Sequence, residues 1–296
     1  MSGSAAPNFR LRDVVRPFVP VGLIERRWQR NNHRRHLEQT AEEEERRLRF
    51  KSLAGSVEKA IGLIRGLSDA QCSDQRFLEL EFIPSLGLNN ELLHEQPPEL
   101  AAAFGKGLHI WQYPKQLAGY LVWLGEHARG VRSYMEIGCR WGGMLILISE
   151  WVRRGGADLR EVIAVDPIAP TPFVETYFRI LHEEKRAGRS HIHSTYLREL
   201  STAPEVQEAV ERIRPDFVFI DGDHTLGGAL ADHMLVRDHA QIIVHHDVCS
   251  QACGDTTFLW AALQKLEAPL FEAKEFTAQY ESVPGRYLGI GVLRRR

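Results

Sequence analysis

No stretch of this chain approaches the roughly 18 consecutive apolar residues of a membrane-spanning helix, so a helical span is excluded. An excess of one charge is missing too. Lysine and arginine number 37 against 39 aspartate and glutamate, a net charge of −2, so no global basic field argues for a nucleic-acid partner. Cysteine is scarce. Cys72, Cys139, Cys249 and Cys253 include no Cys-x-x-Cys pair, which excludes a disulfide scaffold and suits a reducing, cytoplasmic setting. Arg10, Arg12 and Asp13 lead into no apolar core, so no secretory signal is read there. No internal repeat is present. The remaining composition, 44% hydrophobic and 26% charged over 296 residues, is that of a globular protein with one large domain and an appendage.

The most informative segment is Tyr134-Met-Glu-Ile-Gly-Cys-Arg-Trp-Gly-Gly143. A short apolar run ends in an acid, a glycine turn follows, and an apolar helix begins near Trp141. Such a strand–turn–helix opens a nucleotide-type α/β fold at the point where the first turn meets the cofactor. A dinucleotide fingerprint needs a second glycine two residues after the first, letting bare backbone approach a pyrophosphate. Arg140 holds that position. A cofactor without a pyrophosphate fits better, and S-adenosylmethionine is the evident one. Val162-Ile-Ala-Val-Asp166 is a second apolar run ending in an acid, placed to accept from ribose hydroxyls. Asp216-Phe-Val-Phe-Ile-Asp-Gly-Asp-His224 and Gln241-Ile-Ile-Val-His-His-Asp247 add two buried-type strands whose ends carry acids and histidines.

Strands are expected near 132–137, 162–165, 190–193, 217–220 and 242–244, separated by helices with apolar faces. Two strand-like runs, 270–277 and 286–293, close the chain. This alternation predicts a mostly parallel sheet covered on both faces. Residues 107–296 form the expected domain, and residues 1–106 a tail and helical cap. In the latter, a charged segment carries Arg26, Arg27, Arg30, Arg34 and Arg35, then Glu42 to Glu45, and reads as a solvated helix. Leu53, Val57, Ala60, Ile61 and Ile64 recur at helical spacing. That apolar face is expected to pack on the domain or on a second copy of the chain, as a homo-oligomer. Residues 68–108 read as linker and cap.

Together these segments resemble a class I S-adenosylmethionine-dependent methyltransferase. More narrowly, they resemble the metal-dependent sugar and macrolide O-methyltransferases, a group associated with cephalosporin-hydroxylase-like proteins. The shared features are the acid-x-Gly-x-x-x-Gly-Gly turn, the Ile-Asp-Gly-x-His stretch, the later pair before Val248, and Trp111-Gln-Tyr-Pro114 ahead of the first strand. The match covers residues 108–294.

The resemblance implies a Rossmann-like methyltransferase fold, with a seven-stranded, mostly parallel sheet and an antiparallel last strand. It implies that Glu136, Gly138, Gly142, Gly143, Asp166 and Gln112 contact the cofactor. Ser194 or Thr195 is expected to reach the adenine edge, of which Ser194 is taken as the candidate. It further implies Asp221, His246 and Asp247 as ligands of a divalent metal, Mg or Mn, and His224 as the base. The group usually has an acid where His246 stands, and imidazole suits Mn, Fe or Zn better than Mg. The implied reaction is O-methylation of a hydroxyl on a small-molecule or glycoside acceptor.

Two other readings stand beside it. His245-x-Asp247 on one side of a strand could begin the two-histidine-one-carboxylate site of a non-haem metal oxygenase. A methyltransferase fold kept as an inactive binding module is the other.

Overall fold

The computed structural model describes residues 56–296. The charged segment with Arg26 and Glu42, and Leu53 with it, lie outside the described residues.

Helix α1, Ser56–Gly66, turns Val57, Ala60, Ile61 and Ile64 inward as the spacing predicts, and all four are buried. Residues 68–108 are more ordered than a linker. Short helical turns cover Asp69–Ser73 and Gln75–Phe77, a π-helical turn covers Leu78–Phe82, and further turns cover Ile83–Leu86, Leu93–Glu95 and Pro98–Ala103. Helix α2, Pro114–His127, leads into β1, Ser133–Ile137. Then come α3 (Gly143–Arg154), β2 (Glu161–Val165), α4 (Pro172–Arg186), β3 (His193–Leu197), α5 (Pro204–Ile213), β4 (Phe217–Ile220), α6 (Leu226–Val236), β5 (Ile242–His246), α7 (Gly254–Leu266), β6 (Phe271–Phe276) and β7 (Ile290–Arg295). Among the described residues no helix is long and apolar enough to cross a membrane.

The seven strands lie in the order β3-β2-β1-β4-β5-β7-β6. β1 to β5 are parallel, and β7 runs antiparallel to both β5 and β6. This is the Rossmann-like methyltransferase fold, and the crossover from β3 back to β4 makes β1 and β4 neighbours. Ligands of such sheets bind beyond the carboxyl ends at that switch point.

The central strands are buried and mostly apolar because helices cover both faces. Every residue of β1, β4 and β5 is buried. One core runs from Val57 of α1 through Leu121, Tyr134, Ile148 and Phe219 to Val292 of β7, so it continues across residue 107. The apolar face of α1 packs on the rest of the chain, the first of the two outcomes expected for it. There, Arg65 reaches the fully buried Glu150 of α3 at 2.6 Å and Glu184 of α4 at 2.6 Å, with Arg153 also bonded to both acids.

β3 begins at His193, three residues later than expected. It is an edge strand with no fully buried residue. Its sequence, His-Ser-Thr-Tyr-Leu, therefore marks no burial boundary that could fix the register.

Candidate active site

The carboxyl ends of β1, β2, β4 and β5 open onto a cavity of about 650 Å³. That lies within the range of small-molecule sites. Each strand delivers its chemistry one residue past its last paired position. Asp166 follows β2, Asp221 follows β4, and Asp247 follows β5.

The turn after β1 is held tightly. Gly138 has φ +82°, and a Cβ there would lie 2.0 Å from the Asp221 carbonyl oxygen. Only glycine lets the tips of β1 and β4 come this close. Gly142 and Gly143 lie off the cavity and instead let α3 start against Val174 and the Leu108 carbonyl. Asp166, on the cavity wall, accepts from the Arg140 N–H at 2.8 Å and the Ile168 N–H at 3.1 Å. Arg140 folds its guanidinium over Trp111 at 4.7 Å and Trp141 at 4.9 Å, and bonds Glu91 at 2.8 Å. Leu92, Glu95 and Trp111 complete that wall from the segment before α2.

At the β4–β5 end, the Asp221, His246 and Asp247 ligand atoms lie within 4.8 Å of one another. His246 Nδ1 is 3.1 Å from Asp221 Oδ1 and 3.4 Å from Asp247 Oδ2. That nitrogen is buried and makes no well-formed hydrogen bond. The other, Nε2, meets Gln112 Oε1, and the Gln112 amide in turn donates to Gln116 Oε1. Gln116 is fixed by the Gly289 N–H at 3.0 Å. This amide chain places the proton of a neutral imidazole on Nε2 and aims the Nδ1 lone pair at the two carboxylates. Gln112 is therefore a support for His246, not a cavity contact.

Asp247 has φ +58°, in the left-handed region that non-glycine residues seldom occupy. The backbone reversal breaks strand alternation and turns the carboxylate to the side of His246. His245 points the opposite way, with Nε2 3.2 Å from His233 Nδ1 beneath Trp260, and burial lowers it to about 3. The His245-x-Asp247 oxygenase triad is thus not formed.

His224 sits at the cavity mouth, with Nε2 3.1 Å from Asp221 Oδ1 and 3.6 Å from Asp247 Oδ2. Its Nδ1 is 3.4 Å from Cys253 Sγ. Those bonds to Asp221 and Cys253 outweigh partial burial and raise it to about 10. Burial pushes Asp221 up, but the His246 and His224 imidazoles prevail and hold it below the usual carboxylate range. His246 is raised well above its usual value, because the Asp221 and Asp247 charges exceed the effect of burial. With only protons available, the cluster balances itself as imidazolium against carboxylate. A divalent cation competes for the same place.

Besides Gln112, Gly142 and Gly143, two further expected cofactor contacts lie off the cavity. Ser194 is the second residue of β3, paired with Val162, and so lies three residues short of the strand end. Glu199, Leu200 and Ser201 occupy the cavity rim beyond it. Glu136 faces inward because it is the penultimate residue of β1, and it accepts from the Tyr134 hydroxyl beneath the cavity floor. Burial raises it to about 8, with the Tyr134 bond opposing and the Asp221 and Asp166 charges adding.

A carboxyl held above its unfolded value of 4.5 takes up a proton on folding. Its ionisation therefore costs stability increasingly as pH rises from about 4.5 to 8. Glu136→Gln should be more stable than the parent by on the order of 3 kcal/mol at pH 7 and only about 1 kcal/mol at pH 5. Denaturant melts in chelator at the two pH values check this; a gap that does not widen with pH would refute the buried neutral carboxyl.

No family model and no curated protein matches this chain. Among solved structures it is similar to an O-methyltransferase of tomaymycin synthesis from Streptomyces achromogenes, in complex with SAM. That likeness has 15% identity, covers 75% of this chain and 99% of the other, and has a TM-score of 0.41. It is also similar to precorrin-6y C5,15-methyltransferase from Geobacter metallireducens, at 10% identity over 57% of this chain and 82% of that one, with a TM-score of 0.35.

Proposed function

We propose that this chain transfers the methyl group of S-adenosylmethionine to a hydroxyl of a sugar-containing or secondary-metabolite acceptor, with a divalent cation at Asp221, His246 and Asp247. The observation that carries the reading is the convergence of those three side chains on the cavity that Gly138 and Asp166 also border.

The residues present fit both groups. For the cation, two carboxylates face a buried imidazole nitrogen that lacks a hydrogen bond and whose lone pair the Gln112–Gln116 chain directs. For the cofactor, Asp166 stands at the β2 tip where ribose hydroxyls would be bound. Arg140 stands where a pyrophosphate would need bare backbone, which favours S-adenosylmethionine over a dinucleotide.

When bound, the cation lowers the acceptor hydroxyl's pKa and S-adenosylmethionine offers an electrophilic methyl. The chain's own residues do the rest. Asp166 anchors one end of the cofactor. Neutralising Asp221 removes the attraction that keeps His224 protonated, so Nε2 becomes free to take the acceptor's proton at neutral pH. Leu92, Glu95 and Trp111 exclude water and orient the acceptor, so that oxygen and methyl are held at near-attack distance.

Activity should vanish in chelator and return with divalent metal, Mn serving at least as well as Mg because of the imidazole. The His224 ring should titrate near pH 10 in chelator and at lower pH once Mg is added, as followed by proton NMR. Full turnover after exhaustive chelation, with no movement of the His224 titration, would remove the metal from the mechanism.

A further inference from the structure

A second group of metal-ligating side chains shares Asp247 with the first. Among the described residues His224, Asp247 and Cys253 also offer ligand atoms within 4.8 Å of one another. Cys253 caps the start of α7 and lines the cavity. Its Sγ lies 3.3 Å from Asp247 Oδ2 and 3.4 Å from His224 Nδ1, and Nδ1 is the nitrogen offered to a metal here, since Nε2 faces Asp221 Oδ1 at 3.1 Å. Bonds of about 2.0–2.3 Å in a tetrahedral zinc site set ligand atoms roughly 3.3–3.8 Å apart. The sulfur's two contacts already have that spacing. The fourth position faces the open cavity, because His224 is partly exposed and Cys253 half-buried.

The two groups differ in softness. Asp221 and Asp247 with one imidazole suit a hard or borderline cation, whereas a thiolate with an imidazole and one carboxylate selects zinc-like ions. We propose that His224, Asp247 and Cys253 form a soft-metal site for Zn²⁺ that adjoins the Asp221–His246–Asp247 group and shares its Asp247 carboxylate. Binding releases the thiol proton and ties up one nitrogen of His224. Zinc held there takes His224 away from proton transfer, so the site is inhibitory. The site itself rests on the ligand geometry; its inhibitory effect rests on the proposed role of His224 as the base.

Cobalt(II) is the probe, because thiolate ligation gives an intense sulfur-to-metal charge-transfer band that oxygen and nitrogen ligands do not. The full chain titrated with Co²⁺ should show that band, and Zn²⁺ should displace it. Cys253→Ser, at a half-buried position, should abolish the band and weaken Zn²⁺ binding by at least about 100-fold. Asp221→Asn removes a ligand of the first group and none of the second, though it also takes a carboxylate partner from His224 Nε2. It should keep the band while losing Mn²⁺ binding measured by electron paramagnetic resonance. A band that is absent from the parent, or that survives Cys253→Ser, overturns the soft site. Failure of the parent to bind Mn²⁺ with the band intact would count against the first metal group and leave this one standing.

Discussion

Asp247→Asn should lose metal-supported turnover by roughly 10²–10⁴-fold while S-adenosylmethionine affinity stays nearly unchanged. Few side chains here are so committed. Asp247 is buried, is held in a left-handed backbone conformation, and puts one carboxylate oxygen within 3.6 Å of His246, His224 and Cys253. Its backbone carbonyl, not its side chain, receives the Thr256 and Thr257 hydroxyls, so the amide variant keeps those contacts. The loss should therefore appear in metal affinity and rate, with the melting temperature close to the parent's. Steady-state kinetics across a Mn titration, beside calorimetry of the cofactor, separates the two. A variant with the parent's rate and metal dependence would show that Asp247 holds no cation.

Gly138→Ala is expected to be the most damaging single-atom change at the turn. The added methyl would lie 2.0 Å from the Asp221 carbonyl oxygen, and φ +82° is itself unfavourable for alanine. Relief requires the β1 and β4 tips to part, which moves Asp221 away from His246 and His224. We expect a loss of about 3–5 kcal/mol in stability and at least about a 10²-fold fall in turnover. Gly130→Ala is the control, since nothing lies within 4 Å of a Cβ there and its backbone is not left-handed. Thermal melts of the two variants decide it; equal stability would mean that the close approach of the two strand tips is not required.

The chemistry legible in the sequence was that carried by strand ends. Asp166 and Asp221 directly follow an apolar run, and His246 and Asp247 come within three residues of one, and such runs are bounded by burial, so their ends can be read directly. Gly138 was legible because a turn between strand and helix calls for positive φ. Facing was harder to read than position. Glu136 follows the alternation of β1 into the core, whereas Asp247 escapes the alternation of β5 through one left-handed residue, and no pattern announces which will happen.

Ser194 was misplaced for a different reason. Its edge strand lacks the burial that would fix a boundary. Long-range polar pairs were invisible as well. Gln112 and Gln116 have helical i, i+4 spacing, but only the folded chain shows that their amides end on His246. Cys253 joins the site through the start of a helix six residues past Asp247, with no motif to mark it.

The central claim is that this cavity holds S-adenosylmethionine by way of Asp166, and calorimetry with S-adenosylmethionine and NAD in parallel tests it most directly. The account predicts S-adenosylmethionine binding in the micromolar range, weakened in Asp166→Ala by the ~1–3 kcal/mol that an unsatisfied pair costs, and no comparable heat from NAD. Tight NAD binding with no response to S-adenosylmethionine would contradict it.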